Sequence, residues 1–176
     1  MVIVRPALDE DIPGVAALAA QLVRYHYGLD PLRFMNIPKA EEGYRHFLRG
    51  EMRSGDVVIL AALREPEAPE AKPRVIGYTY ARVEPRNWNA LLDRCGAIHD
   101  IYVAEEERQQ GIARKLLEET IRHLEELGIP RIILHTAIQN ERAQRLFASV
   151  GFRTTMLEMT RENTRPTRRS IPPPER

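Results

Sequence analysis

Apolar residues fall along this chain in two rhythms, and the switches between them mark its elements. Val2, Ile3 and Val4 open as a short strand that Pro6 ends. Val15, Leu18, Ala19, Leu22 and Val23 then recur at three- and four-residue steps, which predicts an amphipathic helix reaching residue 27. Asp9 and Asp11 offer its N-caps, Pro13 suits its first turn, and Gly28 stops it. A loop with Pro31 and Pro38 leads to a second helix over 40–52. The run V-V-I-L-A-A-L (57–63) lacks polar alternation and reads as a strand buried on both faces. The loop R-E-P-E-A-P-E-A-K-P separates it from a second long strand, V-I-G-Y-T-Y-A-R-V (75–83), and A-I-H-D-I-Y-V (97–103) is a third.

After Gln110 the period lengthens again. Ala113, Leu116, Leu117, Thr120, Ile121, Leu124 and Leu127 share one helix side, and Gly128 stands where a C′ glycine belongs. R-I-I-L-H-T-A (131–137) predicts a strand, and 140–150 a last helix capped by Asn140 and closed by Gly151. F-R-T-T-M-L-E-M-T (152–160) predicts a final strand. A strand hairpin followed by a strand–helix–strand unit implies an α/β (α+β) fold, one mixed sheet with helices on both faces.

At 176 residues the chain fits one domain, here 1–160, followed by an arginine- and proline-rich segment, 161–176, whose composition predicts a disordered tail. The 26 Lys and Arg against 25 Asp and Glu give a net charge of +1, which provides no general attraction to nucleic acid or anionic membrane. Nucleic-acid binding would have to rest on the tail and is not expected. One cysteine, Cys95, excludes an intrachain disulfide and any multi-cysteine metal site, so no metal is expected. The N-terminal residues lack the long apolar region of a signal peptide, and no apolar run reaches membrane-span length. A reduced, cytoplasmic protein is the expectation.

The stretch V-A-E-E-E-R-Q-Q-G-I-A-R-K-L-L (103–117) carries the chemistry. A strand entering a helix through Gly111 leaves several N–H groups unpaired at the positive end of the helix dipole, a seat for phosphate if no side chain blocks it. Gly111 removes the Cβ where approach is closest, and Ala113 keeps the first turn low. Arg108 and Arg114 add mobile cationic character nearby. A helix start with a flexible glycine and surface charges is the plainer alternative. The stretch is neither a P-loop, lacking G-K-[ST], nor a dinucleotide fingerprint, lacking the first glycine.

Val103, Arg108, Gly111 and Ala113 resemble, position by position, the acetyl-CoA-binding signature of the GNAT superfamily of N-acetyltransferases. N-E-R-A-Q-R-L-F-A-S-V-G-F (140–152) is similar to that family's second signature, and V-R-P-A-L-D-E-D-I to its first strand and helix. The resemblance implies a sheet splayed between the two strands that flank the cofactor-binding helix. It implies that acetyl-CoA lays its pyrophosphate on the amides of Arg108, Gln109, Gln110, Gly111, Ile112, Ala113 and Arg114. The pantetheine arm would run along Ile101–Val103 as an added strand does, with Asn140 beside it. Phe147 would stand where the family usually carries a tyrosine. Members are often dimers, so a homodimer is the assembly the resemblance allows.

Transfer of an acetyl group to an amine needs a base, a donor to the thioester oxygen and a route for the leaving thiolate. His99, whose side-chain type titrates near neutrality, is the candidate base; a buried or hydrogen-bonded structural histidine is the alternative. A backbone N–H at Tyr102 or Val103 is the candidate donor, and the Tyr102 hydroxyl one candidate acid, since Phe147 cannot donate. Asp100 is expected on the opposite strand face in a structural role, and His135 as a core residue. Tyr78 and Tyr80 either line an acceptor pocket or pack, while the 28–38 loop and the segment around Trp88 should shape that pocket. The expected activity is acetyl transfer to a primary amine within a ternary complex, a small molecule slightly favoured over a peptide. A weakly catalytic acyl-CoA sensor is the alternative, favoured by Phe147.

Overall fold

The computed structural model describes residues 1–66, 68 and 70–163. Its elements are β1 (Val2–Pro6), α1 (Ile12–Leu29), α2 (Ala40–Glu51), β2 (Val57–Arg64), β3 (Arg74–Glu84), β4 (Cys95–Val103), α3 (Ile112–Glu126), β5 (Ile132–Leu134) and α4 (Glu141–Ala148). The five strands form one sheet in the order β1-β2-β3-β4-β5. The pairs from β1 to β4 are antiparallel, while β5 lies parallel to β4, as a strand–helix–strand connection through α3 requires.

Strand β2 shows why a continuous apolar run was needed. Its Leu60 and Ala62 join the core beneath α3 and α4, with Ile76, Leu116, Leu117 and Leu124. Its Ile59, Ala61 and Leu63 join a second core beneath α1 and α2, with Ile12, Val15, Leu48 and Tyr78. Alternate residues of one strand thus serve opposite faces of the sheet. Between the layers the buried hydroxyls of Thr79 and Thr120 bond each other at 2.7 Å, and Thr120 also donates to the Leu116 carbonyl.

Three expectations need correction, and a fourth falls largely outside the described residues. The final strand over 152–160 does not form: the segment pairs with no strand among the described residues, and Met156, Leu157 and Met159 are exposed. Its neighbour β5 covers only three residues, so no long edge exists to receive it, and the segment has no consistent apolar face to bury. Its ties to the body include Phe152, packed against Phe147, and an ion pair between Glu158 and Arg33. Asp11 does not cap α1 with its side chain; its buried carboxylate instead accepts from Arg5 Nη1 at 2.6 Å and from the Leu8 N–H at 2.7 Å. His135, beyond the end of the shortened β5, is exposed rather than in the core. The expected 161–176 tail lies, after residue 163, outside the described residues.

Helix α1 sits close on β3 at Gly14, where an added Cβ would stand 2.9 Å from Cβ and Cγ2 of Val75. Alanine gains about 1 kcal/mol over glycine in a helix interior, but overpacking costs about 1–3 kcal/mol. Gly14→Ala should therefore lower stability by about 1 kcal/mol, read as a lower urea midpoint with an unchanged slope; a raised midpoint would mean the helix lifts off without cost.

Candidate active site

Strand β4 changes its surroundings at Ile98. Up to that residue it is paired on both sides, with Gly96, Ala97 and Ile98 opposite Ile132, Ile133 and Leu134 of β5. Beyond it β5 ends, and Asp100–Val103 keep only their β3 partners, Tyr80 to Gly77. In an antiparallel pair every second residue turns its N–H and C=O away from its partner. The open stretch of β4 therefore presents main-chain groups to the gap, as the splayed-sheet expectation required.

At the same point β4 carries one extra residue. Asp100 pairs with Tyr80 and Ile98 with Ala81, so two consecutive residues of β3 face positions two apart on β4, and His99 is the residue left over. Such a bulge re-aims side chains that strict alternation would send to opposite faces. His99 and Asp100 line the same cavity, of about 500 Å³. The expectation that Asp100 faces away is thereby corrected.

The cavity lies between β4, the outer half of β3 and helix α2, with Ile37 of the 28–38 loop at its rim. His99 is partly exposed; its Nε2 stands 2.9 Å from Glu84 Oε1 and its ring stacks on Tyr80 at 5.3 Å. The ring is thus not buried, though it is hydrogen-bonded, as the structural alternative also allows. Tyr80 lines the wall and donates to Glu51 at 2.6 Å, and Arg82 binds the same carboxylate at 3.0 Å. Tyr78 is wholly buried and donates to Asp100 Oδ2 at 3.0 Å. Burial pushes the Asp100 carboxyl above the usual carboxylate range, while the Tyr78 hydroxyl, the nearby His99 charge and the Tyr44 hydroxyl pull it partly back. Trp88 is exposed, lies outside the cavity lining and packs under Arg86 at 5.1 Å.

The loop before α3 has its own geometry. Gln109 and Gly111 both hold left-handed backbone, φ +68° and +76°. A Cβ at Gly111 would meet nothing within 4 Å, so the glycine answers the backbone angle and leaves the approach open rather than relieving a clash inside the protein. No side chain caps the helix, and the Lys115 N–H to the Gly111 carbonyl, at 3.1 Å, is the bond that begins its ladder. Ile112 anchors the first turn in the core and Ala113 packs beside it.

The neighbouring side chains are drawn away from this cradle. Arg108 Nε donates to the Val103 carbonyl at 3.1 Å, and its guanidinium covers the Tyr102 ring at 5.2 Å. Arg114 reaches Glu118 and Ser149, so it is a strut between α3 and α4 rather than a mobile cation. Gln110 reaches Glu107 and Arg64. Tyr102 points its hydroxyl to Gln21, 3.4 Å away. Asn140 does cap α4, accepting from the Ala143 N–H at 3.2 Å. Phe147 is buried against Phe152, so residue 147 belongs to the core.

The residues that sequence reasoning missed are Glu84, Glu51, Tyr44 and Phe47. Glu84 follows from hairpin register once the bulge is known, but the bulge carries no glycine and leaves no mark in the sequence.

Buried Glu107 braces the cradle from below by pairing with both Arg64 and Arg74. The hydrogen bond from Arg64 leads in holding its carboxyl below the ordinary value of 4.5. A lowered folded pKa means that the pairing stabilises fully above the ordinary value and that the contribution is lost as pH falls through the lowered one. Glu107→Gln should therefore lower the urea midpoint at pH 7, and the difference from the parent should shrink as the pH is taken progressively below that ordinary value; a gap of equal size in acid would show that charge is not the cause.

Comparison with known proteins agrees with this geometry. The model of the acetyltransferase (GNAT) family matches residues 31–152. D-amino-acid N-acetyltransferase HPA3 of Saccharomyces cerevisiae is 32% identical over 79 residues, 45% of this chain and 48% of that protein. A mycothiol acetyltransferase of Pseudarthrobacter chlorophenolicus is 29% identical over 85 residues, 48% of this chain and 26% of that protein. The chain thus spans half or less of these curated relatives. Among solved structures, the tetramutant of the BH1408 protein from Bacillus halodurans superposes with a TM-score of 0.74 at 20% identity, covering 92% of this chain and 99% of that one. Aminoglycoside N-acetyltransferase AAC(6')-Iy in complex with CoA gives 0.67 at 15% identity, over 93% and 95%. With the family model covering more than half of the sequence and the sheet parting at β4 and β5 beside an uncapped helix, the chain belongs to the GNAT acetyltransferase family.

Proposed function

We propose that the protein is an acetyl-CoA-dependent N-acetyltransferase acting on the primary amine of a small molecule. The observation that carries this reading is the placement of two features on one strand. The open stretch of β4 leads from the cradle at Gly111 toward the cavity holding His99. The residues present fit the cofactor. The α3 amides are uncapped, Gly111 leaves room for a diphosphate, and Arg108, Gln110 and Arg114 are tied elsewhere. Bound there, acetyl-CoA would supply an acetyl group activated as a thioester.

The amides from Gln109 to Arg114 would hold the diphosphate through N–H donation and the helix dipole. The open edge of Ile101–Val103 would hold the amide groups of the arm by strand addition. An outward-turned amide there, at Tyr102 or Val103, would donate to the carbonyl oxygen on which negative charge grows. The acceptor must lose a proton first: for an alkylammonium with the pKa of lysine this costs about 4 kcal/mol at pH 7.

His99 is placed to take that proton. With Nε2–H donating to Glu84, the lone pair sits on Nδ1, so Glu84 fixes the tautomer in which the ring is a base. Phe147 offers no proton to the departing sulfur, but a thiol with a pKa of about 8.5 leaves tolerably as thiolate. The cavity is a concave space suited to a small molecule, which favours such an acceptor over an extended peptide.

Two variants separate the functions. Gly111→Glu places a carboxylate in the cradle and should weaken CoA binding at least about tenfold by calorimetry. His99→Ala should lower kcat by roughly 10²-fold or more with CoA affinity unchanged. If the parent binds CoA tightly but releases no thiol with any amine, the protein is an acyl-CoA-binding module instead.

A further inference from the structure

Resting on that reading, we propose that the cavity selects a cationic primary amine carried on an apolar or aromatic body, with Asp100 as the carboxylate that binds its ammonium. Four rings follow one another along the cavity. Tyr44 meets Phe47 edge-on at 6.4 Å, Phe47 meets Tyr80 edge-on at 5.4 Å, and Tyr80 stacks on His99 at 5.3 Å. Ring faces attract cations and ring bodies shed water, so such a wall suits a charged head on an apolar frame. Phe47 is 43% exposed although it lines a cavity, an apolar ring left open to whatever enters.

The charges select in the same direction. Asp100 is oriented from behind by the buried Tyr78 hydroxyl, and a carboxylate has about four acceptor sites, which leaves others for an ammonium. Glu84, paired with His99, adds a second negative group to the lining. Arg82 is the cation that a substrate carboxylate or phosphate would need, but it is already bound to Glu51 at 3.0 Å. Two lining carboxylates, with the one arginine offset by Glu51, leave the site negative. The anion of a zwitterionic or phosphorylated acceptor would meet one arginine already shared with Glu51 and, beside it, Asp100 and Glu84, while the frame of a polyhydroxylated one would lie against the rings of Tyr44, Phe47 and Tyr80.

The test uses three probes that share one body: 2-phenylethylamine, phenylalanine and 2-phenylethanol. Their binding to the full chain is measured by calorimetry with CoA present, beside acetyl transfer from acetyl-CoA. The amine should bind at least about tenfold tighter than the other two, the size of one charge-assisted hydrogen bond. Asp100→Asn keeps the shape and an acceptor for Tyr78; it should cost the amine about tenfold and bring it level with the alcohol, leaving CoA affinity intact. Phe47→Ala alters an exposed ring and should weaken the amine and the alcohol together. Phenylalanine binding as well as the amine, or unchanged amine affinity in Asp100→Asn, would overturn the proposal. If the binding pattern holds but no acetyl group moves, this inference stands and the acetyltransferase reading falls. If transfer occurs only with zwitterionic or polyhydroxylated amines, that reading stands and this inference falls.

Discussion

The parting of β5 from β4 after Ile98 is the constraint on which the rest of the molecule depends. A strand inside a sheet has no main-chain group to spare. Here β4 is anchored on both sides for three residue pairs and then on one side alone, so the outward-turned backbone groups of Asp100–Val103, apart from the Val103 carbonyl held by Arg108, must find partners in water or in a ligand. The two cores hold β4 from both faces, Ile98 and Val103 in one and Tyr102 against the other. The bulge at His99 falls beside the same point and turns two consecutive polar side chains into one cavity.

The cradle before α3 follows a different logic, in which side chains withdraw so that backbone can act. Arg108, Gln110 and Arg114 would each supply charge or hydrogen bonds if free, yet each is tied to carbonyls, carboxylates or hydroxyls of the protein itself. What remains at the helix start is N–H groups in fixed directions. Such donors need no rearrangement to meet an anion, and little conformational freedom is left to lose on binding. The buried Glu107, bracing Arg64 and Arg74, ties the cradle to the β2–β3 hairpin.

Much of this was legible in the sequence, because periodicity and end signals reflect burial directly. The continuous run of β2, the three- and four-residue stripe of α3 and the glycines at 111 and 128 located their elements within a few residues. The cradle was legible because Gly111 has a backbone angle that other residues resist. The pairing of His99 with Asp100 was not legible, since register depends on a bulge made of ordinary residues. The strand over 152–160 failed for a related reason: strand formation depends on an available edge, and the sequence of a segment does not contain its partner. Likewise His135 had the surroundings of a core residue only while β5 was taken to run to 137.

The central claim is that one strand edge and one helix start together form a continuous main-chain binding track. Amide chemical shifts recorded while CoA is titrated into the isotope-labelled protein test it most directly. The account predicts the largest changes at Gln110 to Arg114 and at the open residues of β4, Ile101 to Val103, saturating together. Saturating CoA that leaves both sets of amides unmoved, or moves one set without the other, would contradict it.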